Sequence, residues 1–366
     1  MRRFCFRLSI ITLALVATLP ALAAEGRTPV FLDGTIIGAD GRYILTRNIV
    51  SGGAGPVISI TASNVDLDLN GFTIFGALGT VGIEIPPVPV SQDIKIHNGT
   101  IIGGDVAIFH PPGPPAERLV IEDLKLRDQG LDAIAIFDTF ETVHIRRVSI
   151  RRTGATGILI IGPAFTNGSI ENCSIKETSG AGIEIDTAAA FEISNNQLEV
   201  PGTGAGGASG IVLSLGVGCL ISQNTISDPG IHGIELKDSR GNKIYNNVIR
   251  HAFTSGIHLT PDSSHNLIMN NVATDCGFDV PPGHGLHVEG FENQIHGNTL
   301  NGNWGCGMLF DLPSFGNTFG RNMARGNGLL GTCPAAACLL LFPPESCDIS
   351  AAGNDSSTEN MIPILF

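Results

Sequence analysis

The chain has 366 residues and a formal charge of −13, with 34 Asp+Glu against 21 Lys+Arg. A surface of that sign repels nucleic acid and anionic lipid, so neither is expected as a partner. With 47 glycines, one Trp, two Tyr and only 15% charged residues, the composition suits many short strands joined by tight turns rather than a helical domain.

In chain order, residues 1–23 read as a secretory signal peptide. Arg2, Arg3 and Arg7 make a positive start, Leu8 to Leu19 is apolar, and Ala21-Leu22-Ala23 is a small-x-small cleavage site. The apolar run of about 12 residues is too short to span a bilayer, which takes roughly 20, and no membrane span is expected elsewhere. Cys5 precedes the apolar run, which argues against a lipid anchor. Export to the periplasm or the medium follows. Removing the signal leaves 18 Lys+Arg against 34 Asp+Glu, a charge of −16. That balance argues against a polyanionic glycan as ligand unless a cation bridges the two. Seven of the eight cysteines remain, an odd number, so at least one thiol stays unpaired. Cys333, Cys338 and Cys347 cluster near the C-terminus, and Cys276 and Cys306 lie one repeat apart. Cys173 and Cys219 fall within strands and read as small buried hydrophobes.

Residues 24–60 are expected to form an N-terminal cap and first coil, with Gly41–Thr46 as its first strand. From 61 to 325 one motif organises the chain: Gly-Ile followed by alternating residues, at Gly82, Gly157, Gly182, Gly210, Gly233, Gly256, Gly285 (Gly-Leu) and Gly307 (Gly-Met), with degenerate copies at Val106 and Ala133. The steps run from 22 to 29 residues and average 25, one coil of a parallel β-helix. A second motif, apolar-x-x-Asn-x-apolar, follows about a dozen residues later, its fourth position being Asn196, Asn224, Asn247, Asn271, Asn298 and Asn322. These amides are expected to stack and hydrogen-bond from coil to coil, and the asparagine to supply the left-handed backbone of a sharp bend. Residues 326–366 are left as a C-terminal cap or tail. The fold expected is all-β: one single-stranded right-handed parallel β-helix, a solenoid of about eleven coils with terminal caps, some 50 Å long at about 4.8 Å per coil.

The segment Val65-Asp66-Leu67-Asp68-Leu69-Asn70-Gly71-Phe72-Thr73-Ile74, followed by the Gly-Ile and Asn repeats, resembles exported bacterial right-handed β-helix repeat proteins over residues 40–325. That group includes NosD-like periplasmic proteins and carbohydrate-binding and sugar-hydrolase repeat domains. The resemblance implies a polysaccharide as partner and lyase, hydrolase or epimerase chemistry in any enzyme. It equally implies a non-catalytic scaffold or a periplasmic accessory protein. Fold-level likeness does not choose between them.

The alternation fixes which side chains face out. Counting from each motif glycine, positions +1 and +3 point inward and +2 and +4 outward. The +2 column then stacks Glu235, His258 and His287, which are the candidate catalytic residues, with His232, His284, Glu289 and Tyr245 as candidate substrate contacts. Residues 232–296 hold seven of the ten histidines. A carboxylate beside imidazoles equips a site for general acid–base work, and a divalent metal would suit the same donors, although no cofactor is assigned. The insertion Asp279–Gly283 makes that coil the longest, at 29 residues, and places a loop at the edge of this face. Gly283-His284-Gly285 is similar to the GHG of polygalacturonases, but the paired Asp and the Arg-Ile-Lys of that family are absent. Gly277-Phe278-Asp279 is similar to the start of the GFDPHD segment of alginate epimerases, without its Pro-His-Asp. Arg146, Arg147, Arg151 and Arg152 are not near an obvious acid cluster and read as solvating a face.

Overall fold

The structure is a computed structural model describing residues 26–328, other than 54, 88–92, 115, 138–139, 201–206, 278–282 and 312, plus the strands Ile349–Ser350 and Asp355–Ser356. The expected signal peptide, most of the 326–366 segment and all but the last residue of the insertion lie outside the described residues.

Alternating Ile, Leu and Val make each coil a set of three short strands, as in Lys243–Tyr245, Val248–Arg250 and Ile257–Leu259. Every strand pairs in parallel with its equivalent one coil away. Among the described residues the third strands of successive coils build a 13-stranded sheet, and the other two faces merge through the long strands Asp93–Gly103 and Ala116–Gln129. The first strand among the described residues, Thr28–Val30, pairs with Gly41–Leu45. The inward +1 and +3 side chains form one continuous apolar column; Ile234, Leu236, Ile257, Leu259, Leu286 and Val288 are fully buried. Each such side chain contributes about 1.5–3 kcal/mol over its exposed state.

The repeat glycine is explained by contact, not by backbone angle. A Cβ on Gly233 would sit 2.5 Å from the Gly256 carbonyl oxygen and 2.4 Å from Ile249 Cγ2, and Gly210, Gly256 and Gly285 repeat the approach at 2.6–2.7 Å. The degenerate copy at Val106 departs from the expected count. Val106 pairs with Val81 and Ile108 with Ile83, so Ile108 is an inward residue and Phe109 is the one opposite Glu84. Counted from Val106, position +2 falls on Ile108 and would face outward, but this copy is offset by one residue, which in a strand exchanges the two faces.

The six expected asparagines are buried and linked, each Nδ2 donating to the next Oδ1 at 2.9–3.0 Å. Two further ladders run beside them, Asn242–Asn266–Asn293–Asn317 and Asn303–Asn327. Cys173, Cys219 and Cys276 each occupy the first rung of one ladder, where their backbone N–H groups donate to Asn196, Asn242 and Asn303. A thiol suits that place because it fills the small inward slot and can donate to a carbonyl two residues back, 3.3–3.7 Å away. The left-handed residue is not the ladder asparagine but the one before it: Asn195, Gln223, Asn246, Asn270, Gly297 and Arg321 have φ between 55 and 66°, apart from Asn270 at 54°. The bend is made by an outward residue, which leaves the next side chain free to turn in.

One other reading changes. The four arginines are each paired with an acid about one coil away: Arg146 with Glu122 at 2.6 Å, Arg147 with Asp123 at 2.7 Å, Arg151 with Glu177 at 2.8 Å and Arg152 with Asp128 at 2.6 Å. Cys276 is a free buried thiol, whereas Cys306 is disulfide-bonded.

Candidate functional site

In a parallel stack the register of one coil is inherited by the next, so +2 residues are held one above another. Glu235 of Ile234–Lys237 pairs with His258 of Ile257–Leu259, and His258 with His287 of Leu286–Val288. Their heads meet. The His258 and His287 rings stack with centroids 4.9 Å apart and planes at 21°, and His258 Nδ1 lies 3.9 Å from Glu235 Oε1. Glu289 reaches back across the column, with Oε2 3.3 Å from His258 Nε2 and Oε1 4.0 Å from His287 Nε2. His258 therefore stands between two carboxylates.

The column faces outward yet is recessed. The side chains of Glu235, His258 and His287 are 12%, 13% and 18% exposed, while Glu289 at 26% and Asp311 at 58% open its edge toward solvent. Val212 and Leu309 occupy the same column above and below and are themselves buried. Glu235 is anchored by the Ser209 hydroxyl, which donates to Oε2 at 3.0 Å, and by Lys237 Nζ at 3.4 Å. Burial alone would raise the Glu235 carboxyl, but His258, His232, Lys237 and Ser209 outweigh it and hold it down to about 2. Burial, with the neighbouring His258, pushes His287 down to about 4. At neutral pH the column thus holds an ionised Glu235 and a neutral His287.

His232 and His284 are brought to the column but are committed elsewhere. Each is the residue before a repeat glycine, and the side chain there accepts a backbone N–H from the next coil. The chain runs His232 N to Ser209 Oγ at 3.4 Å, Ser255 N to His232 Nδ1 at 3.3 Å, His284 N to Ser255 Oγ at 3.2 Å and Cys306 N to His284 Nδ1 at 2.9 Å. Both rings are buried and pack on the site, His232 on His258 at 4.4 Å and His284 on His287 at 5.3 Å. Burial and the adjacent imidazoles push both down to about 3. They wall the site and support its backbone.

Tyr245 is not part of this group. It lies on Lys243–Tyr245, in the other sheet, paired with Ser222 and Met269. Period-2 alternation marks outward positions, but each coil has three outward faces and spacing alone does not say which one a residue occupies. Ser209, Lys237 and Asp311 were not singled out. Ser209 carries a signal in hindsight, as a polar residue before the repeat glycine one coil above His232.

Stacked parallel coils with this register define a right-handed parallel β-helix. The family model described as "Right handed beta helix region" matches residues 166–324. Among solved structures, the chain is similar to the AlgE4 A-module, a mannuronan C-5 epimerase of Azotobacter vinelandii, with TM-score 0.59 and 15% identity over 92% of either chain. It is also similar to the catalytic unit of an α-1,3-glucanase from Streptomyces thermodiastaticus, with TM-score 0.48 and 15% identity over 80% of this chain and 62% of that one. At 15% identity the likeness to the epimerase module is one of fold. Among curated proteins no sequence matches the chain.

Proposed function

We propose that the chain is an exported β-helix that binds or processes a polysaccharide on the outward face carrying Glu235, His258 and His287. The observation that carries this reading is His258 standing between the Glu235 and Glu289 carboxylates in a recess open on one side. An imidazole so placed can pass a proton between a bound hydroxyl or glycosidic oxygen and a carboxylate, the core requirement of general acid–base catalysis. The epimerase module that shares this fold is named for action on mannuronan, which supports the substrate class. The charge of −16 that remains once the expected signal is removed, 18 Lys+Arg against 34 Asp+Glu, favours a neutral glycan, or an acidic one met through a cation.

The second reading is a non-catalytic scaffold or a NosD-like accessory protein. It is favoured by the use of His232 and His284 as acceptors for backbone N–H groups and by the apolar Val212 and Leu309 in the same column. An array of neutral and acidic polysaccharides, scored for binding and for new reducing ends or unsaturated sugars, separates the two. The first reading expects saturable binding that His258→Ala and His287→Ala abolish while the circular dichroism stays unchanged. No glycan retained by the folded wild type would favour the scaffold.

A further inference from the structure

We propose that His258, His287 and Glu289 form a binding site for a divalent transition-metal ion, with zinc as the best chemical fit and Asp311 at its solvent edge. The donors are already convergent. Glu289 lies 3.3 Å from His258 Nε2 and 4.0 Å from His287 Nε2, and Asp311 Oδ2 lies 3.9 Å from that same His287 nitrogen. The three ligand atoms of His258, His287 and Glu289 all fall within 4.8 Å of one another. Zinc with bonds of about 2.0–2.1 Å sets its ligand atoms about 3.4 Å apart, a change that small side-chain rotations accomplish.

An unmet polar atom marks the same spot. His287 Nε2 is buried and has no hydrogen-bond partner, and it is aimed between Glu289 and Asp311. A buried nitrogen is normally satisfied; a metal ion would satisfy this one. The outer contacts fit as well. His258 Nδ1 is also buried without a hydrogen-bond partner, and it faces Glu235 Oε1 at 3.9 Å. A histidine that ligates through Nε2 carries its proton on Nδ1 and donates it to a carboxylate or carbonyl. Glu235, fixed by Ser209 and Lys237, is placed to accept it.

A second convergent group, His232 with Glu235 and His258, is the weaker alternative. His232 Nδ1 accepts the Ser255 N–H, so the neutral ring carries its own proton on Nε2 and neither nitrogen has a lone pair to offer. Two imidazoles among the donors select a transition metal over calcium, which prefers oxygen. Three protein ligands with an open fourth position describe a site that accepts water or an anionic ligand group. The inference is independent of the polysaccharide reading, because it is measured without glycan.

The test is zinc titration of the tag-free full chain after chelator treatment, followed by equilibrium dialysis with metal analysis, and by the visible spectrum of the cobalt-substituted protein. One equivalent of zinc per chain and a tetrahedral cobalt spectrum are expected. Glu235→Gln should weaken binding roughly 10–100-fold, and His287→Ala and the nearly isosteric Glu289→Gln should weaken it more. His232→Asn keeps an acceptor for the Ser255 N–H and should leave affinity within about threefold. Failure of the folded wild type to retain zinc would overturn the proposal. So would undiminished binding in Glu289→Gln, or loss of binding in His232→Asn.

Discussion

Asn247 offers the sharpest test of how the coils are held together. Its side chain is fully buried. Nδ2 donates its two hydrogens to the Ile221 carbonyl at 2.9 Å and Asn271 Oδ1 at 3.0 Å, with the Tyr245 carbonyl at 3.2 Å sharing one of them; Oδ1 accepts the backbone and side-chain N–H groups of Asn224, each at 3.0 Å. Asn247→Ala strands the Asn224 donors and removes one donor from the Ile221 carbonyl, in a place water does not reach. At about 1–3 kcal/mol for each buried group left unmet, the loss is about 3–5 kcal/mol. The neighbouring Asn246 is the control. It is exposed and holds φ at 56°, so Asn246→Gly relieves a left-handed strain and should change stability by no more than about 1 kcal/mol. Guanidinium unfolding followed by far-ultraviolet circular dichroism, and by the single tryptophan, Trp304, reads both changes. A loss below about 1 kcal/mol in Asn247→Ala, or an equal loss in the two variants, would refute the reasoning.

Three further outcomes are expected. Gly233→Ala should destabilise the chain by about 2–3 kcal/mol, because its methyl meets the Gly256 carbonyl at 2.5 Å and backbone cannot step aside as a side chain can; the unfolding midpoint reports it. Cys173, Cys219 and Cys276 are free and buried, and burial pushes Cys173 up to about 11 and Cys276 up to about 12. A thiol reagent at pH 8 should therefore miss all three in the native chain and label them after denaturation. Glu122 meets Lys95 at 2.7 Å and Arg146 at 2.6 Å; burial alone would raise it, but these cations hold it down to about 2. Because the folded carboxyl titrates below its ordinary 4.5, its stabilising effect is complete above pH 4.5 and disappears as pH falls toward 2. The difference in Tm between wild type and Glu122→Gln should be full at pH 6 and shrink steadily below pH 4.5.

Much of this was legible because a parallel coil copies its register to the next. The Gly-Ile period revealed the solenoid, the fourth-position asparagines revealed a buried ladder, and the +2 positions brought Glu235, His258 and His287 together. What escaped has physical reasons. Tyr245 shares the outward alternation of the site but lies on a different face, and period-2 spacing cannot distinguish faces. Hydrophobic residues that fit either register conceal the one-residue offset of the copy at Val106. The arginine pairs were within reach: Glu122 and Arg146, and Asp128 and Arg152, are each 24 residues apart, one coil, and the period that aligned the glycines would have aligned the charges. The double duty of His232 and His284 was not readable, since their Nδ1 contacts are to backbone, which every residue possesses.

The staggered starts of the three asparagine ladders give the rod a mechanical polarity. They begin at Cys173, Cys219 and Cys276, and extend to Asn322, Asn317 and Asn327. Coils before Cys173 have no amide ladder among the described residues, while those from Cys276 to Asn317 are tied along three edges at once. Tension applied from the N-terminal side should release early coils singly and stall where the third tie begins. His287 and Glu289 sit within that triply tied stretch, and His258 one coil above it. The candidate site thus straddles the boundary, with His287 and Glu289 mounted on the portion of the rod that yields last and Glu235 and His258 on the coils just before it.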